Sequence, residues 1–210
     1  MRPWDELDAL LRRRWDHPYA PNGLPISASA IDTGGHHTIQ AYNFCKPRHR
    51  RRVWAIKGKG GAGLLAWPKR PSTNNEARVP LYTVGVDGLK DALYGRLQIE
   101  EPGPGYHHFP LERDAEYFDQ LTAEERKYKL SHGHPVPYWH CPDGVRNEAH
   151  DCRVYGMAAL HGWYSLGRTI RAQLDRLQVA SDRLVDADDR RPTRRRWLSR
   201  RRHWLKDDRR

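Results

Sequence analysis

The chain contains 210 residues, and its 37 lysines and arginines exceed its 26 aspartates and glutamates to give a formal net charge of +11. This length suits one core with tails, and the positive charge makes a polyanion such as nucleic acid the first partner to consider. No apolar stretch approaches the roughly 20 residues of a membrane-spanning helix, and charges interrupt the N-terminal segment where a secretory signal would be apolar. The three cysteines, Cys45, Cys141 and Cys152, lack the even number and paired spacing of a disulfide framework.

In the first half of the chain, one helix is followed by a series of strands. Leucines at helical spacing predict a helix over residues 1–15. Short apolar or alternating stretches predict strands over residues 24–31, 37–45, 53–57 and 80–86. The glycines in the segment from Asp32 to Gly35 permit a tight reversal. We therefore expect the second strand to return beside the first as a hairpin.

The second half of the chain is predicted to contain three helices and one strand. The helices cover residues 89–97, 114–130 and 147–166, and the strand covers residues 135–141. This order suits an α/β fold in which a mixed sheet is flanked by helices. We expect three regions: an N-terminal helix and linker over residues 1–20, a core domain over residues 21–168, and a basic tail, helical or disordered, over residues 169–210.

Four acidic residues occupy positions that suit a metal-dependent active site. Asp32 ends the first predicted strand, and Asp87 ends a later strand just before a helix. Glu148 and Asp151 lie three residues apart in the first turns of the last core helix, and so on one face. Carboxylates arranged in this way can hold two Mg²⁺ or Mn²⁺ ions roughly 4 Å apart, which would activate water and stabilise the leaving oxygen of a phosphodiester.

Each of these acids also has an ordinary structural explanation. Aspartate is common in turns, and acidic side chains are favourable at helix N-termini. The positions alone therefore leave a catalytic role and a structural role open.

The order of several sequence blocks is more specific than any single acid. The blocks are Ile31–Thr38, Ala55–Gly58, Val84–Asp87, Leu89–Asp91, Tyr94–Leu97, Gly103–Pro110, Glu116–Phe118, Leu121–Glu124 and Arg146–Cys152. In this order they resemble the nuclease domain of the lambda-type phage terminase large subunit family. Position by position, the resemblance implies that Asp32, Asp87 and Asp151, with Glu148 beside it, are the catalytic acids and metal ligands. The family's last block usually has an apolar residue where this chain has His150.

The resemblance implies a ribonuclease H-like fold, a two-metal site for Mg²⁺ or Mn²⁺, and an endodeoxyribonuclease that cuts concatemeric viral DNA during genome packaging. It implies double-stranded DNA as substrate, with a packaging ATPase, a small terminase subunit and the portal as partners, in the host cytoplasm. Family proteins carry an ATPase domain ahead of the nuclease, whereas the glycine-rich segment 58–63 here lacks the Gly-Lys-Ser/Thr of a phosphate-binding loop. We expect a separated nuclease domain, a split gene product or a fragment of a degraded prophage gene.

Basic and histidine side chains provide candidate DNA contacts. His36, His37, Lys57 and Lys90 lie close in sequence to the acids, although packed histidines and solvated lysines are common. Residues 190–206 hold nine lysines and arginines and no acid, with Trp197 and Trp204 among them. The tail candidates are Arg194, Arg195 and Arg196. Such a tract can bind phosphates through its basic side chains and stack its tryptophans on bases. It can equally be a solvated tail. The resemblance implies a third role, docking to the portal.

Two functions of different class therefore remain open. The first is an active endonuclease, which the presence of all four acids favours. The second is a DNA-binding or packaging-complex subunit from a degraded prophage gene that has no cutting activity of its own.

Overall fold

The computed structural model describes residues 3–18, 20–73 and 75–189. The helices and strands are α1 (Pro3–Arg12), β1 (Arg14–His17), β2 (Ala20–Pro25), β3 (Ser29–Asp32), α2 (Thr38–Cys45), β4 (Val53–Lys59), β5 (Leu81–Gly85), α3 (Val86–Leu97), α4 (Ala115–Leu121), β6 (Glu125–Ser131), β7 (His134–His140), α5 (Glu148–Ser165) and α6 (Ile170–Asp189). A 3-10 helix, Lys46–Arg51, joins α2 to β4. The described residues fall into two compact units, one within Met1–Leu11 and Ile26–Arg168, the other within Arg12–Pro25 and Thr169–Arg210.

The first unit is built on a three-stranded parallel sheet with the order β3-β4-β5. In this register Asp32, the last residue of β3, lies beside Ile56 of β4. A parallel pair needs a crossover connection between its strands, and α2 with the 3-10 helix supplies one between β3 and β4. The ends of all three strands therefore meet at one edge of the sheet.

The predicted hairpin between residues 24–31 and 37–45 is wrong, because residues 38–45 form helix α2. Ala41, Tyr42, Phe44 and Cys45 are its buried residues. Their spacing is that of one helical face, which the short apolar run concealed. The hydroxyl of Thr38 donates to the carbonyls of Thr33 and Gly35, at 2.8 Å each, and closes the turn that starts this helix.

The sheet is buried on both faces, as expected for parallel strands. On one face, Trp54 and Ile56 of β4 pack with residues of α3 and α5 such as Leu93 and Val154. On the other face, Val53 and Ala55 of β4 pack with residues of α2. Successive residues of β4 thus serve two different cores, which explains why this segment is apolar without interruption.

The segment predicted as one helix over residues 114–130 instead contains helix α4 and strand β6. Strand β6 pairs with β7 as an antiparallel hairpin. The two-residue turn between them has φ of 49° at His132 and 80° at Gly133. Positive φ at both positions is typical of the tight turns that join hairpin strands. The charged residues of β6 gave no alternating pattern by which this strand could be recognised.

The α/β class is confirmed, although in the described residues the parallel and antiparallel pairs lie in separate sheets rather than in one mixed sheet. The strands that lead to Asp32 and Asp87 are not neighbours, because β4 separates β3 from β5. Asp87 itself lies in the first turn of α3, since the helix begins at Val86.

The second unit contains the antiparallel pair β1-β2 and helix α6. The side chain of Arg14 in β1 donates to the carbonyls of Asn22 and Gly23, the latter at 2.7 Å. Arg194, Arg195 and Arg196 lie outside the described residues. Within the part of the chain that the structure describes, no helix is both long and apolar enough to cross a membrane.

Candidate functional site

Asp32 lies where β3 ends and the chain turns towards α2. The next residue, Thr33, is buried, and its hydroxyl donates to the carbonyl of Ile56 at 2.8 Å. The backbone N–H of Gly34 donates to Oδ1 of Asp32 at 3.0 Å. These contacts fix the turn to the central strand, while the Asp32 residue remains exposed at the sheet edge.

Helix α5 brings Glu148 and Asp151 to the same groove as Asp32. Glu148 is exposed, and its carboxylate lies 3.2 Å from Nε of Arg146. The side chain of Asp151 is 42% exposed. Three of the four acids that the sequence singled out therefore line one groove, at the edge where the parallel strands end. Acidic side chains in the first turns of α5 also interact favourably with the helix dipole.

Tyr155, one turn after Asp151 on α5, lies against the central strand. A Cβ atom added at Gly58 would come within 2.6 Å of the Tyr155 hydroxyl, so glycine is needed at that position. Burial raises the pKa of Tyr155, and the negative charges of Asp32, Asp151 and Glu124 raise it further. The Tyr155 hydroxyl is therefore within electrostatic reach of Asp32 and Asp151. It is also within reach of Glu124, a third carboxylate that the sequence did not single out.

Glu124 is that third carboxylate, and it is 5% exposed between α4 and β6. Its Oε2 accepts from the Lys90 ammonium at 2.5 Å, and its Oε1 accepts from the amide of Asn147 at 2.9 Å. Burial by itself would raise the pKa of Glu124, but the nearby His150 and Lys90 outweigh that effect and lower it to about 2. The residue belongs to the block Leu121–Glu124, yet it was placed in a predicted helix where an acid carries no special signal.

His150 is the other residue of this region whose role the sequence left undefined. Its side chain is fully buried, with Nδ1 3.4 Å from Oε1 of Glu124 and 3.7 Å from Oδ1 of Asp151. Neither ring nitrogen has a hydrogen-bonding partner. Burial favours the neutral ring, but the two carboxylates outweigh burial and raise the pKa of His150 above its usual value.

The donor atoms of Glu124, His150 and Asp151 all lie within 4.8 Å of one another. A single divalent ion makes bonds of about 2.0–2.3 Å to such oxygen and nitrogen donors. Three donors at this spacing can therefore converge on one ion after small movements. The Nδ1 atom of the buried His150 faces the two carboxylates and has no hydrogen-bonding partner, so it also fits a cation.

The structure places Asp87 in a different pocket from the other three acids. Its Oδ2 accepts from the backbone N–H of Gly61 at 2.8 Å. A Cβ atom added at Gly60 would come within 3.2 Å of Oδ1. The pocket that Asp87 lines also contains Asp91 and Arg126, and none of its lining residues is shared with the Asp32 groove. In this arrangement Asp87 holds the glycine-rich turn over residues 58–63.

The predicted DNA contacts differ in accessibility. His36, His37 and Lys57 are exposed, the two histidines in the turn after β3 and the lysine near the end of β4. Lys90, in contrast, is only 12% exposed at its side chain, and its ammonium is paired with Glu124. The structure thus gives Lys90 an internal partner in place of the phosphate that the sequence suggested.

Comparison with known proteins adds a family assignment to this geometry. The family model described as "Terminase large subunit gpA, endonuclease domain" matches residues 1–166. The large terminase subunit of Escherichia phage lambda is 37% identical over 152 residues, which cover 66% of this chain and 23% of the relative. The large terminase subunit of Enterobacteria phage P21 is 32% identical over 166 residues, which cover 73% of this chain and 25% of the relative. The chain thus spans about a quarter of the length of these relatives. No solved structure matches it.

Proposed function

The chain belongs to the family of terminase large subunit gpA endonuclease domains, and from this premise we propose that it is a divalent-metal-dependent endodeoxyribonuclease. It would hydrolyse phosphodiester bonds of concatemeric viral DNA during genome packaging. The single observation that carries the proposal is the groove in which Asp32, Glu148 and Asp151 lie together. Three carboxylates from two different elements form an oxygen-rich site of the kind that Mg²⁺ and Mn²⁺ occupy.

In the proposed site, Asp32 and Asp151 hold the metal ions, with Glu148 at the rim. When bound, such ions activate water and stabilise the leaving oxygen of a phosphodiester. The protein supplies a rigid platform, because the turn after Asp32 is hydrogen-bonded to β4 and Asp151 lies in a well-packed helix. For Asp87 to join this site, the glycine-rich turn must release its carboxylate, which Gly61 now binds.

Double-stranded DNA is the proposed substrate, in keeping with the net charge of +11. The exposed His36, His37 and Lys57 lie beside the strand ends that carry the groove, where they can meet the phosphates on either side of the cut. The host cytoplasm as site of action, and the packaging ATPase, small terminase subunit and portal as partners, are proposed from the family alone.

One observation favours a second function. The separation of Asp87 from the other acids leaves the groove with fewer ligands than the resemblance implies. A DNA-binding or packaging-complex subunit without cutting activity would tolerate this separation.

A plasmid-nicking assay decides between the two. The full chain is incubated with supercoiled DNA and either Mg²⁺ or Mn²⁺, with a chelator control, and compared with Asp32→Asn. The matched control is Asp119→Asn, an exposed aspartate on α4 that lines neither described pocket. We expect wild type and Asp119→Asn to nick DNA only with metal, and Asp32→Asn to bind DNA but cut about 100-fold more slowly or not at all. DNA binding without nicking by the wild type under every condition would instead establish the second function.

A further inference from the structure

Glu124 and His150 form a buried polar cluster that the family resemblance does not explain. Glu124 is 5% exposed and His150 is 0% exposed. Buried polar groups are nearly always hydrogen-bonded, because an unpaired one loses its interactions with water and gains nothing. Nevertheless, neither ring nitrogen of His150 has a hydrogen-bonding partner. A packing role alone would be served as well by the apolar residue that the family usually has at this position.

The surroundings of the ring are suited to a cation. Nδ1 of His150 points between two carboxylates, 3.4 Å from Glu124 and 3.7 Å from Asp151. The three donor atoms lie within 4.8 Å of one another, two of them from buried residues. This arrangement goes beyond an exposed acidic cluster, since the Nδ1 atom of a fully buried imidazole is directed into it and has no hydrogen-bonding partner.

We propose that Glu124, His150 and Asp151 form a binding site for one divalent transition-metal ion, which selects Mn²⁺ over Mg²⁺. The inference rests on the proposed function for the second role of Asp151, which would also serve the acidic groove. Mg²⁺ prefers a shell made entirely of oxygen atoms and retains several waters. An imidazole nitrogen is a ligand that transition metals accept much more readily, so His150 would provide the preference.

Lys90 and Asn147 leave Glu124 free for this role. The Lys90 ammonium takes Oε2, and the Asn147 amide donates to Oε1, the oxygen nearest to His150. A carboxylate oxygen has two lone pairs, so Oε1 keeps one for a metal ion. Both contacts also fix the position of the carboxylate in the absence of the ion. The two carboxylates carry one more negative charge than the lysine offsets, which leaves the cluster attractive to a cation.

The first test measures metal binding by the full chain without DNA, by isothermal titration and by electron spin echo spectroscopy of bound Mn²⁺. We expect Mn²⁺ to bind at least about tenfold more tightly than Mg²⁺, and the Mn²⁺ spectrum to show coupling to an imidazole nitrogen. A Mn²⁺ complex without nitrogen coupling, or no Mn²⁺ binding, would overturn the proposal and leave a metal-free ion pair between His150 and the two carboxylates. This readout uses the wild type and does not depend on any variant folding.

The second test compares His150→Leu with His161→Leu, an exposed histidine on the same helix. We expect His150→Leu to lose the Mn²⁺ preference and to weaken Mn²⁺ binding about 10- to 100-fold, and His161→Leu to behave as the wild type. Glu124→Gln, which keeps the shape of the side chain, should also weaken Mn²⁺ binding. Unchanged Mn²⁺ affinity in folded His150→Leu or Glu124→Gln would refute the proposal.

The outcomes separate this inference from the proposed function. Nitrogen-coupled Mn²⁺ binding in a protein that never nicks DNA would support the metal site and reject the nuclease. Metal-dependent nicking without nitrogen coupling would support the nuclease and reject the metal site.

Discussion

The two outer strands of the parallel sheet, β3 and β5, both lead into an aspartate, but the two carboxylates differ in exposure and in hydrogen bonding. After β3, the turn residues Thr33 and Gly34 brace the backbone, and Asp32 stays exposed in a groove with Asp151. After β5, the chain enters α3 at once, and the carboxylate of Asp87 is bound by the amide of Gly61. The donor to Asp32 comes from its own turn, whereas the donor to Asp87 comes from a segment 26 residues away. We call the end of β3 the open end and the end of β5 the engaged end.

The largest expected effect is on the rate of cleavage, from substitutions at the open end of β3 and at its neighbour on α5. Asp32→Asn and Asp151→Asn should each slow cleavage by about 100-fold or more, because each removes the charge of a proposed metal ligand. The double variant should be little slower than the worse single variant, since residues that act on one site are not additive. Single-turnover nicking of all three proteins checks this. Effects that multiply would show that the two acids act at separate sites, which would break the grouping of Asp32 with α5.

At the engaged end, Gly85 of β5 packs closely against the backbone of the segment that follows the glycine-rich turn. A Cβ atom there would lie 2.7 Å from the backbone oxygen of Leu64, and the amide of Gly85 donates to the carbonyl of Leu65 at 2.8 Å. We expect Gly85→Ala to lower the free energy of unfolding by about 2 kcal/mol through this overlap. Urea denaturation provides the measurement.

Gly88→Ala is the matched control for that substitution. A Cβ atom at Gly88 would meet nothing within 4 Å, and the residue lies inside α3. Alanine should stabilise the helix there by about 0.5–1 kcal/mol. If the two substitutions had equal effects, the contact between Gly85 and the segment after the glycine-rich turn would be unimportant.

Asp8 of α1 provides a reference, because its carboxylate has a purely structural role. Hydrogen bonds from Arg48 and Arg51, at 2.8 Å each, hold its pKa well below the usual range. We expect Asp8→Asn to cost about 1–2 kcal/mol of stability at neutral pH. Because the folded-state pKa is depressed, this contribution is complete above the unfolded pKa of about 3.9 and is lost as the pH falls below it. Urea denaturation at pH 7 and pH 3 should therefore show a smaller difference between wild type and variant at pH 3.

The smallest effect on stability is expected for Asp87→Asn. Asparagine keeps an acceptor for the Gly61 amide but removes a negative charge from the first turn of α3, worth about 0.5 kcal/mol. Hydrogen exchange at Gly61 should quicken, whereas Asp119→Asn should leave it unchanged. If Asp87→Asn abolished cleavage as fully as Asp32→Asn while Gly61 stayed protected, the two ends of the sheet would be functionally alike. Asp87 would then act in cleavage as Asp32 does, whatever its bond to Gly61.

The elements that sequence reasoning recovered are those with a local pattern. Strand β4 was recognised from an apolar run, and α5 from its length and its turn-forming start. The placement of Asp32 at a strand end and of Asp151 in the first turns of a helix left a shared site open, and the family resemblance assigned the two acids to one site. Helix α2 was missed because eight residues with four buried side chains resemble a strand as closely as a helix.

The parts of the site that sequence reasoning missed depend on contacts between distant segments. Glu124 reaches His150 only because α4 ends at Leu121 and the chain turns into a hairpin, and no local pattern marks that end. The capture of Asp87 by Gly61 joins residues 26 positions apart. The resemblance marked His150 as unusual, but its burial and its position between two carboxylates follow only from packing.

The parallel pairing of β3, β4 and β5 also has a consequence for the order of folding. Each pair requires a loop of about twenty residues to close before any strand contact forms, which is slow compared with local pairing. The hairpin of β6 and β7 closes through a two-residue turn and can form on the microsecond scale. Amides of the hairpin should therefore gain protection early in a pulse-labelling experiment, and those of β3 late. The groove that holds Asp32 would then be among the last features to assemble, so a nascent chain would acquire its charged hairpin well before its acidic residues come together.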